Sequence, residues 1–170
     1  MRYRLDVVAP SVRDAVKYAG GWIYDRVMAG WEVTVLVDAA RTADDPRPLQ
    51  ILGARCLDLE SVLQDWSARA HPQTVAVAAD LFDRDPRVLA HVRNALDQGA
   101  TEVTLWGERL PAELDGSVDS VAHHLSAAAR AFKSLALAAA HDPGADAVAP
   151  TETFRCGVMA SVAADLVPAS

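Results

Sequence analysis

Asp38, Asp58 and Asp80 each stand where a β-like apolar run gives out, and Asp83 and Asp85 follow closely on the third. Carboxylates gathered at one sheet edge could hold Mg²⁺, which takes oxygen ligands, keeps several waters and needs as few as two protein carboxylates. Asp80 is the best single ligand in that reading. Asp85 precedes Pro86, and Asp-Pro is a helix start that uses its carboxylate as a cap; Asp83 then reads as a solvated loop residue, and no metal is expected. Arg13, Arg41 and Arg109 lie just beyond three different runs, and a guanidinium offers phosphate a planar fork. Ser11, Glu108 and Trp106 complete the set, Trp106 as a flat surface on which a planar ligand or a partner could stack.

Other chemistries lack their residues. A dinucleotide site needs a glycine-rich turn after the first strand, so that backbone can approach a pyrophosphate at a helix N-terminus. Here that turn reads Ala9-Pro10-Ser11-Val12-Arg13, with no glycine before Gly20, although Asp38 stands where an acidic residue would hold a ribose. No G-x-x-x-x-G-K-[ST], H-E-x-x-H or G-x-S-x-G pattern occurs. His123 and His124 are adjacent and so point apart on a helix. Cys56 and Cys156 lack C-x-x-C spacing and read as small apolar thiols in a reducing compartment.

The elements that would position these residues are legible from glycine punctuation. Three times an apolar helical stripe runs through a glycine into a β-rich stretch, at Gly30, Gly53 and Gly99. Glycine ends a helix cheaply because it takes φ > 0, and a strand restarting there is the return leg of a βαβ unit. Five strands follow: 4–9, 32–37, 55–57, 74–79 and 102–106. Helices are expected over 11–28, where Ser11 caps and Val12, Val16, Ala19, Ile23 and Val27 form one stripe, over 59–69, and from Asp85-Pro86 to about Leu96. Gly20-Gly21 interrupts the first helix at a cost of about 1 kcal/mol each, which points to close packing against a neighbour. The expected fold is α/β: a three-layer, doubly wound, five-stranded parallel sheet (flavodoxin-like or Rossmann-like), with strand orders 2-1-3-4-5 and 3-2-1-4-5 both open.

Beyond 115 the alternation gives way to helical stepping. Ser117 caps a long helix carrying Val118, Val121, Leu125, Ala128, Phe132 and Leu135, and Thr151 caps a last one carrying Phe154, Val158, Val162 and Leu166. The chain thus divides into an α/β domain over 1–115 and a helical extension over 116–170. The seam of Val118, Val121, Leu125, Phe132 and Leu135 suits a second copy or another partner helix.

At 170 residues and 51% apolar content the chain can bury a full core. A net charge of −7, with no run of basic residues, speaks against a nucleic-acid binder. No apolar stretch is long enough to span a bilayer, and no signal peptide opens the chain, so a soluble cytoplasmic protein is expected.

The order and spacing of the five βα units resemble the two-component receiver domain and other flavodoxin-like folds. The turn Ala95-Leu96-Asp97-Gln98-Gly99-Ala100-Thr101 leading into Glu102–Leu105 is similar to the one before the receiver's last strand, and Asp58 stands where that family keeps its phosphoacceptor. The acidic pair after strand 1 is replaced by Ala9-Pro10, and the lysine after strand 5 by Trp106 or Gly107. The resemblance therefore implies a degenerate signalling domain. Taken together, the sequence favours a non-catalytic regulatory or interaction module that self-associates through its C-terminal helices. The alternative is a protein that binds, or an enzyme that acts on, a nucleotide-like or phosphorylated compound through the strand-end carboxylates and arginines. No cofactor is specified.

Overall fold

The computed structural model describes residues 2–66, 69, 71–115, 118–157 and 166–168. One sheet of eight strands runs through the molecule. Its parallel half contains β1 (Arg4–Val8), β2 (Glu32–Val37), β3 (Arg55–Asp58), β4 (Thr74–Ala78) and β5 (Glu102–Trp106). Its antiparallel half contains β6 (Asp119–His124), β7 (Thr151–Gly157) and β8 (Leu166–Pro168). The spatial order is β3-β2-β1-β4-β5-β7-β6-β8. β1, β2, β4 and β5 are buried almost throughout, as continuous runs of Val, Leu and Ala covered on both faces must be.

One face is covered by α1 (Val12–Met28), α3 (Arg47–Leu52) and α8 (Ala127–Ala139), which pack on one another. The other is covered by α4 (Leu59–Gln64) and α6 (Pro86–Gln98), whose Leu59, Leu63, Val88 and Val92 close over Val8, Val75 and Val77. Short helices α2 (Ala39–Thr42), α5 (Leu81–Arg84) and α7 (Ala112–Asp115) and a 3-10 turn (Pro143–Asp146) fill the connections. Among the described residues, no helix is long and apolar enough to cross a membrane.

This architecture corrects the sequence reading in three respects. The sheet is mixed and eight-stranded, not five-stranded and parallel, because the last third of the chain supplies strands. Asp119–His124 form β6 in place of the first half of the expected long helix, and the true helix starts later, where Ser126 accepts a hydrogen bond from the Ala129 amide. Thr151–Arg155 alternate, with Glu152 and Phe154 buried and Thr153 and Arg155 exposed, which is a strand's period; Val158 and Val162 of the expected last helix lie outside the described residues.

Second, the proposed pairing seam does not exist as one helix face. Val118 and Leu125 are buried in flanking loops and Val121 lies on β6. Only Phe132 and Leu135 sit exposed on α8, whose buried side is Ala129, Lys133, Ala136 and Leu137. Third, the receiver resemblance fails: of the two strand orders left open, the parallel half takes 3-2-1-4-5 and not the 2-1-3-4-5 of receivers and flavodoxins. Asp58 therefore ends the edge strand and not a central one.

The glycine pair in α1 has a steric cause. A Cβ on Gly21 would stand 2.2 Å from Leu125 Cγ, so helix and loop touch where no larger residue fits.

Candidate functional site

The cleft opens where the parallel and antiparallel halves of the sheet part company. β5 and β7 pair only across Val103–Gly157, Thr104–Cys156 and Leu105–Arg155. Beyond that, β7 stays with β6 as far as Thr151. β5 instead turns away at Gly107, whose φ of +128° is a left-handed backbone that favours glycine. The resulting cleft is about 830 Å³, well within the range of small-molecule sites. Its walls are the first turns of α1, the ends of β4 and β5, the inner side of α8, the loop over 142–149 and the start of β7.

Asp14 is its central titratable group. Ser11 caps α1 by accepting the Asp14 amide at 3.0 Å, which fixes the first turn. The Asp14 carboxylate then turns into the cleft and accepts the Trp106 indole N–H at 3.4 Å. Burial pushes its carboxyl above the ordinary range, and the nearby Asp80 carboxylate pushes it the same way. Trp106, Lys17 and Arg84 pull it back.

The floor is built by Lys133 and Glu152. Glu152 is buried on β7 and accepts three hydrogen bonds: from Lys133 Nζ at 2.6 Å, from the Trp22 amide at 2.7 Å and from the Gly21 amide at 2.9 Å. Burial raises its carboxyl, and the Lys133 ammonium and the two amides oppose that. A second tie, Arg13 to Asp142 at 2.8 Å, holds the start of α1 to the loop that follows α8, and this pairing holds the Asp142 carboxyl low.

Of the residues singled out in the sequence, Asp80, Asp83, Trp106, Glu108 and Arg109 line this cleft together. Ser11 is spent as a cap and Arg13 is committed to Asp142 on the cleft's rim. Asp38, Arg41 and Asp58 sit elsewhere, at the β2–β3 edge. Asp38 pairs with Arg41 at 3.2 Å, and Asp58 caps α4 and accepts the Ala39 amide, bonds that hold its carboxyl low. Asp85 caps α6 and pairs with Arg87. Asp14 is legible in the sequence only as a capping residue; its place three residues after Ser11, at the strand-end rim, is the signal for more. Lys133, Glu152 and Arg155 come from segments read as uniform helix, so nothing marked them.

No family model matches the chain, and no curated protein matches it. Solved structures do. The crystal structure of the A40926 pseudoaglycone deacetylase superposes with a TM-score of 0.62 at 17% identity, over 100% of this chain and 99% of that one. A zinc-inhibited form of a teicoplanin deacetylase gives 0.62 at 12% identity, over 98% and 99%. The N,N'-diacetylchitobiose deacetylase of Pyrococcus horikoshii gives 0.51 at 14% identity, over 90% and 83%. The chain thus shares the α/β fold of these structures. This finding, with the loss of the helical tail, corrects the expectation of a non-catalytic pairing module or degenerate receiver. As for zinc, no three His, Cys, Asp or Glu side chains among the described residues come together to hold a metal ion.

Proposed function

We propose that the protein is a hydrolase that removes an acyl group from the nitrogen of a small molecule held in the β4–β5–β7 cleft. The observation that carries this reading is the Asp14 carboxyl, raised by burial and facing Asp80 in a cleft of deacetylase fold. A base that must also serve as an acid works best when its pKa lies closer to the working pH than that of a free carboxylate.

In the proposed reaction one carboxylate of the Asp14–Asp80 pair takes a proton from water as the water oxygen bonds to the acyl carbon. The pair returns a proton to the amide nitrogen as the C–N bond breaks, leaving a free acid and an amine. Trp106 keeps Asp14 aimed into the cleft through its indole N–H. The acidic wall of Asp14, Asp80 and Asp83 favours a ligand that donates hydrogen bonds, such as an amide or hydroxyl. It disfavours a phosphate on that side, which weighs against the phosphorylated ligand that the three arginines suggested.

The test is a panel of N-acetylated amino sugars, amino acids and short peptides, with release of acetate followed by NMR. Turnover by the native protein, reduced about 10²–10⁴-fold in Asp14→Asn, the usual worth of a general acid–base group, is expected. Absence of both binding and turnover across the panel, from protein with an intact melting transition, would refute the reading.

A further inference from the structure

We infer that the cleft takes an N-acylated amino acid or short peptide with a free carboxylate, held in extended form along the open edge of β7. This rests on the reading of the cleft as a substrate site and adds the class of substrate.

The first ground is the parting of the strands. β7 has a partner on both sides only at Arg155 and Cys156. From Thr151 to Phe154 it is paired with β6 alone, and the side towards β5 forms a wall of the cleft. Along an antiparallel strand successive residues turn their N–H and C=O groups to opposite sides. Two of these four residues therefore present backbone donors and acceptors to the gap, and among the described residues no backbone bond fills it. Such an edge pairs with extended backbone, giving affinity through main-chain amides. A sugar ring has no matching row of N–H and C=O groups.

The second ground is charge. Arg155, on the last paired rung of β7, and Arg109, just past β5, both line the cleft and are exposed, and neither has an ion-pair partner among the described residues. Glu108 stands beside Arg109; Glu152, on the same strand as Arg155, is already committed to Lys133 and two amides. Asp14, Asp80 and Asp83 line the same cleft, with Lys17 near Asp14 and Asp80 close to Gly107. A ligand whose carboxylate meets Arg155 or Arg109 while its backbone pairs with the β7 edge keeps its acyl amide in the cleft that Asp14 and Asp80 line.

The experiment compares four probes by calorimetry and turnover: N-acetyl-dialanine, its C-terminal amide, its form N-methylated at the second peptide nitrogen, and N-acetylglucosamine. The free acid should bind at least 10-fold more tightly than the C-terminal amide. Arg155→Met should erase that difference without changing the melting temperature, and Arg109→Met should reduce it. N-methylation should weaken binding at least 10-fold while the carboxylate preference persists. Equal affinity for acid and amide in the native protein would overturn the inference. So would binding and deacetylation of N-acetylglucosamine with no binding of the dipeptide, an outcome that leaves the hydrolase reading standing. No binding or turnover of any probe would remove both.

Discussion

Glu152 and Lys133 make unequal claims on the stability of the molecule, and separate substitutions should expose the difference. Glu152→Leu strands the Lys133 ammonium and the Gly21 and Trp22 amides, all of which now donate to one carboxylate. A stranded buried charge costs about 3–5 kcal/mol, and each amide adds about 1–3 kcal/mol unless α1 relaxes to absorb it. A loss of at least about 4 kcal/mol follows, or roughly 8–16 °C in melting temperature for a chain of this size. Lys133→Met removes one bond of three and leaves a carboxyl that can take up a proton, so about 1–3 kcal/mol is expected. The second loss must also depend on pH. Burial raises the Glu152 carboxyl and Lys133 lowers it. A group with a raised folded-state pKa adds stability that is complete below the unfolded pKa and disappears as pH rises through the folded one. Without Lys133 that folded value moves higher, so the variant should approach the native protein near pH 5 and fall behind it towards pH 8. The double variant, apolar at both positions, should recover most of the Glu152→Leu loss. Thermal melts across this pH range decide the matter. Equal losses in the two single variants, or a pH-independent gap for Lys133→Met, would refute the account of the cleft floor.

The glycine pair makes a matched control. Gly21→Ala forces a Cβ against Leu125 and should destabilise by about 1–3 kcal/mol in denaturant titration, whereas Gly20→Ala, with no contact shorter than 3.3 Å, should stay within about 1 kcal/mol of the native protein. Asp14→Asn should raise the melting temperature at pH 7–8, since it removes a carboxyl whose ionisation the fold opposes, and the gain should vanish as pH falls below the ordinary carboxylate range. Both cysteines should resist a thiol reagent at pH 8 until the protein is unfolded. Burial and the Glu102 carboxylate push the Cys156 thiol up to about 12, and burial and Asp44 raise Cys56.

The parallel half of the fold was legible because each strand is a short apolar run closed by Pro, Gly or Asp, and because Ser11 and Asp85-Pro86 are unambiguous helix starts. The antiparallel half was not. Val118, Val121, Leu125, Ala128, Phe132 and Leu135 step by threes and fours, but the same stretch contains Asp119–His124, which pairs with β7 and β8, and tertiary pairing decided between them. In the alanine-rich α8 the buried face is marked by Ala129 and Lys133, which no hydrophobic pattern selects. The site divides in the same way. Asp80, Trp106, Glu108 and Arg109 follow from the rule that ligands lie beyond the carboxyl ends of parallel strands. Asp38 and Asp58 obey the same rule at the sheet's outer edge and so fall outside the cleft. Glu152 and Arg155 could be placed only with β7 in hand.

The position of the cleft follows from the change of strand direction. A parallel strand ends at the rim, and its successor must cross over through a helix to start again at the far side. An antiparallel neighbour starts at the rim itself, so β7 brings its own first residues, Thr151 to Phe154, to the level where β4 and β5 finish. Had β7 paired with β5 along its whole length, those residues would have closed the opening. Three rungs of pairing suffice to hold the two halves together, and Gly107 then carries β5 aside. The cleft's groups are therefore drawn from both halves of the chain, Asp14, Asp80 and Arg109 from the parallel part, Lys133, Glu152 and Arg155 from the rest. Neither half alone could assemble it, and the buried Lys133–Glu152 pair, which ties α8 and β7 to the middle of α1, keeps the two in register.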